Sequence, residues 1–175
     1  MTWNAPAIWS TNEEITSTKM MAQVYDNLLW LNEQRPRLTM AGTVAVATGA
    51  SFAVPTWNAD ATCSPNAGSM LTGVTDAYMY APTSGSYQFS LMVIFNTSAT
   101  GKRGAVISSG AVSGSYSSYA QDVREATSGT EPTAITITTP LIKFNSASYV
   151  HFGIRQSQGY SMNCTVRFSG LWIAS

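Results

Sequence analysis

Tyr78-Met-Tyr-Ala-Pro-Thr-Ser-Gly-Ser-Tyr-Gln-Phe-Ser-Leu-Met-Val-Ile-Phe95 is the stretch whose reading decides the fold. Pro82, Ser84 and Gly85 punctuate it, which predicts a short strand, a turn and a longer strand. After the turn Tyr87, Phe89, Leu91, Val93 and Phe95 share one face, because successive strand side chains alternate. The other face runs from Gln88 and Ser90 to Met92 and Ile94. It begins polar and ends apolar, so the strand is expected to be buried on both faces toward its end, as a central strand of a sandwich is.

The same alternation recurs outward from this stretch. Thr43-Val-Ala-Val-Ala47, Ser51-Phe-Ala-Val54, Ala134-Ile-Thr-Ile-Thr138 and Tyr149-Val-His-Phe-Gly-Ile-Arg155 all read as strands, with Val150, Phe152 and Ile154 inward in the last. Cys164, Val166 and Phe168 continue the inward set. A slip to Leu171 and Ile173 predicts a β-bulge at Ser169-Gly170. Residues 64–73 read as loop, and residues 108–133 are the least patterned stretch. There a solvated connection with short strands competes with a binding loop that exposes Tyr116 and Tyr119, the candidate ligand loop, since Tyr, Ser and Gly suit adaptable binding surfaces. Eight or more strands with a helix outside them predict a mainly β protein, a jelly-roll sandwich.

The convincing helix covers Glu13–Gln34, capped by Thr16 or Ser17, with Pro36 just beyond. Met21, Val24, Leu28 and Leu31 recur at heptad spacing. So short a helix is marginal alone in water and needs a partner surface. Two partners stand open: copies of itself around an axis, or its own β-domain. Ahead of it Trp3, Pro6, Ile8 and Trp9 lie in an extended arm without period. They either dock on a partner or fold back on the helix, and Trp is enriched at interface anchors. The expected organisation is a docking arm and helix over 1–38 and a jelly-roll head over 39–175.

Composition bounds the chemistry. Only 10% of the 175 residues are charged, against a usual ~25%, and formal net charge is zero. No basic patch marks a nucleic-acid footprint. No apolar run approaches a membrane span, and no basic region followed by an apolar run marks a signal peptide. Cys63 and Cys164 are far apart in sequence. Two buried unpaired thiols are favoured over a disulfide, which stays open. The single histidine, His151, has no partner set for catalysis or zinc. The acids are scattered, and no glycine loop cradles a phosphate. No enzyme, cofactor or metal site is expected.

Tyr80-x-Pro82-x-x-Gly85-x-Tyr87-x-Phe89 resembles the central motif of the globular heads of complement component one, subunit q, which belong with the tumour-necrosis-factor-like jelly rolls. Gly101-Lys-Arg103 followed by an apolar run is similar to the next segment of those heads. Leu141 to Ile173, with its Gln156-Ser-Gln-Gly159 turn and its Phe168-Ser-Gly-Leu-Trp-Ile173 end, resembles their last three strands. The resemblance implies a homotrimer, with Tyr80, Tyr87, Phe89, Leu91, Phe152 and Phe168 as head core and trimer residues. It also favours copies of the helix as its partner, making 1–38 a docking arm and trimerisation helix with Met21, Val24, Leu28 and Leu31 as the stalk. Some heads of that family bind calcium near the trimer axis. Asp60 and Asp76 have no oxygen-ligand motif around them, so no site is expected here.

A second resemblance covers the N-terminus. Trp9, Glu14-Ile-Thr16, Met20 and Tyr25-Asp-Asn-Leu28 are similar to a pattern in tailed-bacteriophage virion proteins. Pro55-Thr-Trp-Asn58, with Asp60 in the following loop, resembles a segment of phage-borne heads. Together they imply a non-enzymatic virion structural protein, a capsid decoration or head fibre. It would be made in the host cytoplasm, displayed on the particle surface, and partnered by major capsid or tail proteins. The rival reading is a tail-tip or tail-fibre adhesion protein, or a lectin-like head, whose partner is a host-surface glycan or protein.

Overall fold

The computed structural model describes residues 16–31, 35–71, 78–109, 116–127 and 131–174, the side chains of Ala22 and Pro65 excepted. The chain forms two compact units that divide between Arg35 and Pro36.

In the first unit a helical run covers residues 17–31. It comprises α1 (Ser17–Met20), a wider π-helical turn (Met21–Tyr25) and α2 (Asp26–Leu29). Thr16 is the cap: its hydroxyl accepts from the Lys19 backbone N–H at 3.3 Å, which satisfies one of the orphan donors of the first turn. The π turn was not expected, because heptad spacing assumes an unbroken α-helix. Its i→i+5 pattern locally widens the helix. Residues 13–15 and 32–34, the ends of the expected helix, lie outside the described residues.

The second unit carries eleven strands among the described residues: β1 (Arg37–Val46), β2 (Thr56–Trp57), β3 (Thr62–Ala67), β4 (Tyr78–Tyr80), β5 (Gly85–Phe95), β6 (Lys102–Ser108), β7 (Ser118–Glu125), β8 (Thr133–Thr138), β9 (Ile142–Phe144), β10 (Tyr149–Gln156) and β11 (Met162–Ala174). The larger sheet runs β2-β1-β11-β5-β8, with β3 on β1 and β9 on β5; the smaller runs β4-β10-β6-β7. Every pairing is antiparallel. Strand β5 is central, between β11 and β8, as its composition requires.

The inward sets of the two sheets make one core. Tyr87, Phe89, Leu91, Val93 and Phe95 of β5 oppose the β11 set across the register Phe168↔Leu91 and Cys164↔Phe95. Phe152 of the smaller sheet meets Phe168 of the larger at 4.9 Å between ring centroids, and Trp57 closes on Phe152 at 5.7 Å. The Tyr87 hydroxyl, carried inside with its ring, donates to the Thr83 carbonyl at 2.7 Å. Burial pushes its pKa up to about 12.

Several expectations need correction. The 169–170 slip is absent. Gly170 continues the inward alternation and is buried, Leu171 points outward, and the register shift with β5 falls between Trp172 and Ala174. The apparent slip arose because the inward position is a glycine, which carries no hydrophobic signal. Its missing side chain is structural. A Cβ there would lie 2.8 Å from the Met79 sulfur and 2.8 Å from a Phe89 ring carbon. Met92 and Ile94 are half-buried rather than buried on both faces. Ser51 to Val54 forms no strand, only an isolated bridge from Ala53 to Ile154. Residues 62–67, expected as loop in part, are strand β3, and β7 lies inside the unpatterned stretch.

Candidate functional site

The helical run presents an inverted face. Met21 (50% exposed), Val24 (40%), Leu28 (61%) and Leu31 (39%) stand in water in the protomer, joined by Met20 and Tyr25. Gln23 is half-buried and Asn27 and Trp30 are buried, at a spacing of four and three that defines the opposite face. The Asn27 side-chain amide donates to the Gln23 carbonyl at 3.2 Å. An isolated soluble protomer ordinarily turns its apolar stripe inward. The expected docking residues Trp3, Pro6, Ile8 and Trp9 lie outside the described residues.

In the head, Tyr87, Phe89, Leu91, Phe152 and Phe168 are core. Tyr80 is not. Strand β4 sends Met79 inward, so Tyr78 and Tyr80 lie on the outer face beside Tyr149 of β10. Tyr78 meets Tyr149 edge-on at 5.3 Å, and Tyr80 meets it at 6.3 Å. Of this group Tyr149 lines an open cavity of about 590 Å³ at one end of the sandwich, formed by the start of β5, the β6–β7 ends and the segment 143–149.

Two local distortions shape that cavity. Ala120 opposes Ile107 and Ser118 opposes Ser108, so Tyr119 is the extra residue of a β-bulge. The bulge sets Tyr119 onto Phe144, edge-on at 6.0 Å. Tyr116 and Tyr119, exposed in the binding-loop reading, are both half-buried; Tyr116 packs against Phe52 and Val106. The turn from β9 to β10 holds Ala147 at φ 64°, a left-handed conformation that non-glycine residues seldom take. Ala147 is fixed there by donating its N–H to the Ala81 carbonyl at 2.7 Å. Neither Tyr149 nor the 143–148 segment was singled out from sequence. The available signal was Tyr149-x-His151, two ring-bearing residues on the outward side of a strand.

The remaining polar groups read as structural. His151 lies against Tyr78 at 5.3 Å, and burial lowers its pKa. Both cysteines are free. Cys164 is buried, its pKa raised to about 12 by desolvation with a smaller opposing effect of Arg103. Cys63 is half-buried rather than buried, and desolvation raises its pKa as well. Arg103 is fully buried. Its guanidinium donates to the Lys102 carbonyl and to Gln158 Oε1, both at 3.1 Å, and stands 5.8 Å from the Phe95 ring centre. Asp60 accepts from the Thr43 backbone N–H at 3.1 Å and from its hydroxyl at 2.9 Å, which pins the 58–61 loop to β1. Asp76 lies outside the described residues. Among the described residues no group of three or more His, Cys, Asp or Glu is arranged to hold a metal, and no helix is long and apolar enough to cross a membrane.

The layered arrangement has counterparts among solved structures. The Eiger TNF of S. frugiperda matches with a TM-score of 0.53 at 10% identity, over 82% of this chain and 95% of that one. The PRD1 vertex protein P5 matches with a TM-score of 0.50 at 20% identity, over 77% and 96%. The sandwich has the jelly-roll fold. At such identities the likeness concerns the fold alone. The globular domain of zebrafish complement 1qA aligns with a TM-score of 0.45 at 14% identity, over 75% of this chain and 97% of that chain. No protein-family model matches the sequence, and no curated protein matches it.

Proposed function

We propose that this chain is a non-enzymatic structural protein of a tailed-phage virion. It assembles as a homotrimer in which the N-terminal arm and helix form the docking arm and stalk and the sandwich forms the outward head. It serves as capsid decoration or head fibre. The observation that carries the reading is the inverted helix. Four heptad positions, Met21, Val24, Leu28 and Leu31, stand exposed in the single protomer, while Asn27 and Trp30 are buried. Copies of the same helix around an axis would bury that seam.

The head supports the same assembly. The outer face of the larger sheet carries small residues such as Thr39, Ala41, Ser90 and Thr136, with Met92, Ile94 and Leu171 half-buried among them. Such a face suits close packing against identical copies. The jelly-roll fold is shared with a protein named for a vertex, and the N-terminal resemblance to virion proteins points the same way. Trp3, Pro6, Ile8 and Trp9 are the docking residues of this reading.

Light scattering of the purified protein tests the assembly: three chains per particle are expected, and a monomer at micromolar concentration overturns it. Imaging of intact particles tests the placement. Density at capsid positions is expected. Density at the tail tip transfers the protein to host attachment.

A further inference from the structure

The cavity at the end of the head has the chemistry of a sugar site. Tyr149 is 50% exposed, yet its ring is held by two neighbours, Tyr78 edge-on and Tyr80 tilted. A large aromatic surface that is both solvent-facing and fixed loses little conformational freedom when something stacks on it. Phe144 and the bulged Tyr119 form a second aromatic wall in the same cavity. Between them the wall is polar. The side chains of Ser86, Asn145 and Ser148 line the cavity and make no hydrogen bond among the described residues. The exposed Lys143 adds one cation, which has no ion pair among the described residues.

These features discriminate between ligand classes. A wholly apolar ligand would leave the amide and hydroxyls unpaired, at an energetic penalty. A nucleotide calls for a phosphate cradle of backbone N–H groups or several cations, and one lysine supplies neither. A pyranose has C–H faces that lie on tyrosine rings and hydroxyls that pair with Asn and Ser. A volume of about 590 Å³ lies within the ~300–1,000 Å³ usual for small-ligand sites. We propose that this cavity binds a pyranose bearing an anionic group, stacked on Tyr149, hydrogen-bonded by Asn145 and Ser148, and with its charge against Lys143. The proposal goes beyond the virion reading and holds wherever on a particle the head is carried.

The test uses the purified full chain with three probes: the methyl glycosides of glucuronic acid and N-acetylneuraminic acid, and neutral methyl glucoside. Saturation-transfer NMR is expected to show transfer to the ring protons of at least one acidic sugar, and weaker transfer to the neutral one. Tyr149→Ala, at an exposed position, should weaken binding about tenfold, the scale of losing one aromatic stacking contact. Lys143→Gln should erase the preference for the acid and leave the fold unchanged. No transfer to either acid, or transfer that survives Tyr149→Ala unaltered, overturns the site. Equal binding of acidic and neutral sugars overturns the anionic assignment. A monomer in solution would defeat the trimer and leave this proposal standing.

Discussion

Replacing Gly170 by alanine tests the register on which the core depends. Gly170 sits inward on β11 opposite Phe89 of β5. An added Cβ would lie 2.8 Å from the Met79 sulfur, 2.8 Å from Phe89 Cε1 and 2.9 Å from Phe89 Cδ1. The Met79 thioether is flexible and can yield. The Phe89 ring cannot move freely: it is 2% exposed and packs against Tyr87, Phe144 and Phe168. Overpacking of this kind costs about 1–3 kcal/mol. For a chain of this length each kcal/mol lowers the melting temperature by about 2–4 °C, so Gly170→Ala should melt roughly 2–12 °C lower. Circular dichroism followed through heating, at fixed protomer concentration because assembly shifts apparent stability, reads the effect. A variant that melts at or above the parent temperature would refute the reasoning. It would mean that position 170 is not against Phe89, and that the bulge lies at 169–170 after all.

Four other outcomes are expected. Leu28→Ala should reduce the trimer fraction in sedimentation at low protein concentration, at a loss of about 2–5 kcal/mol if the seam buries that side chain fully; an unchanged association curve counts against the stalk. Deleting residues 1–10 should leave a folded trimer that no longer joins particles, and retained incorporation would place docking elsewhere. Thiol titration of the native protein at neutral pH should be slow at Cys164, whose pKa of about 12 leaves little thiolate, and denaturation should release two thiols; recovery of none would establish a disulfide. His151 has its pKa lowered by burial. The unfolded chain therefore binds the proton more readily, and stability should fall as pH drops below the ordinary histidine value of about 6.5. His151→Gln should flatten that part of the stability–pH curve, and an unaltered curve would assign the acid dependence to other groups.

The fold was legible where apolar and polar residues alternate over several positions. Strands β5, β8 and β10 each carry such a run, and their burial follows it, apart from Gly153 of β10, which is buried on the outward side. It was illegible where pairing is decided by a neighbour rather than by pattern. Strand β3 holds Cys63, Ser64 and Asn66, residues of weak strand preference. It is a strand because β1 offers it an unpaired edge. Residues 51–54 fail in the opposite sense: the alternation is present, yet only Ala53 reaches a partner, through Ile154. Gly170 misled for a third reason, since an inward position that must stay empty reads as a break.

The cavity was hidden for a related cause. Tyr119 faces Phe144 only because it is the extra residue between Ser118 and Ala120, which oppose the adjacent Ser108 and Ile107 of β6, and an insertion of that kind leaves alternation on either side intact. Ala147 takes a left-handed conformation that composition would assign to glycine or asparagine. Its N–H reaches the Ala81 carbonyl only in that geometry, and Ser148 returns the bond by accepting from the Ala81 N–H at 2.8 Å. The turn is therefore clamped to the end of β4, and Tyr149 is delivered between Tyr78 and Tyr80. A single exposed tyrosine carries no meaning in a sequence. One wedged by two others, at the rim of a cavity shaped by a bulge and a strained turn, is a surface built to be met by something outside the protomer.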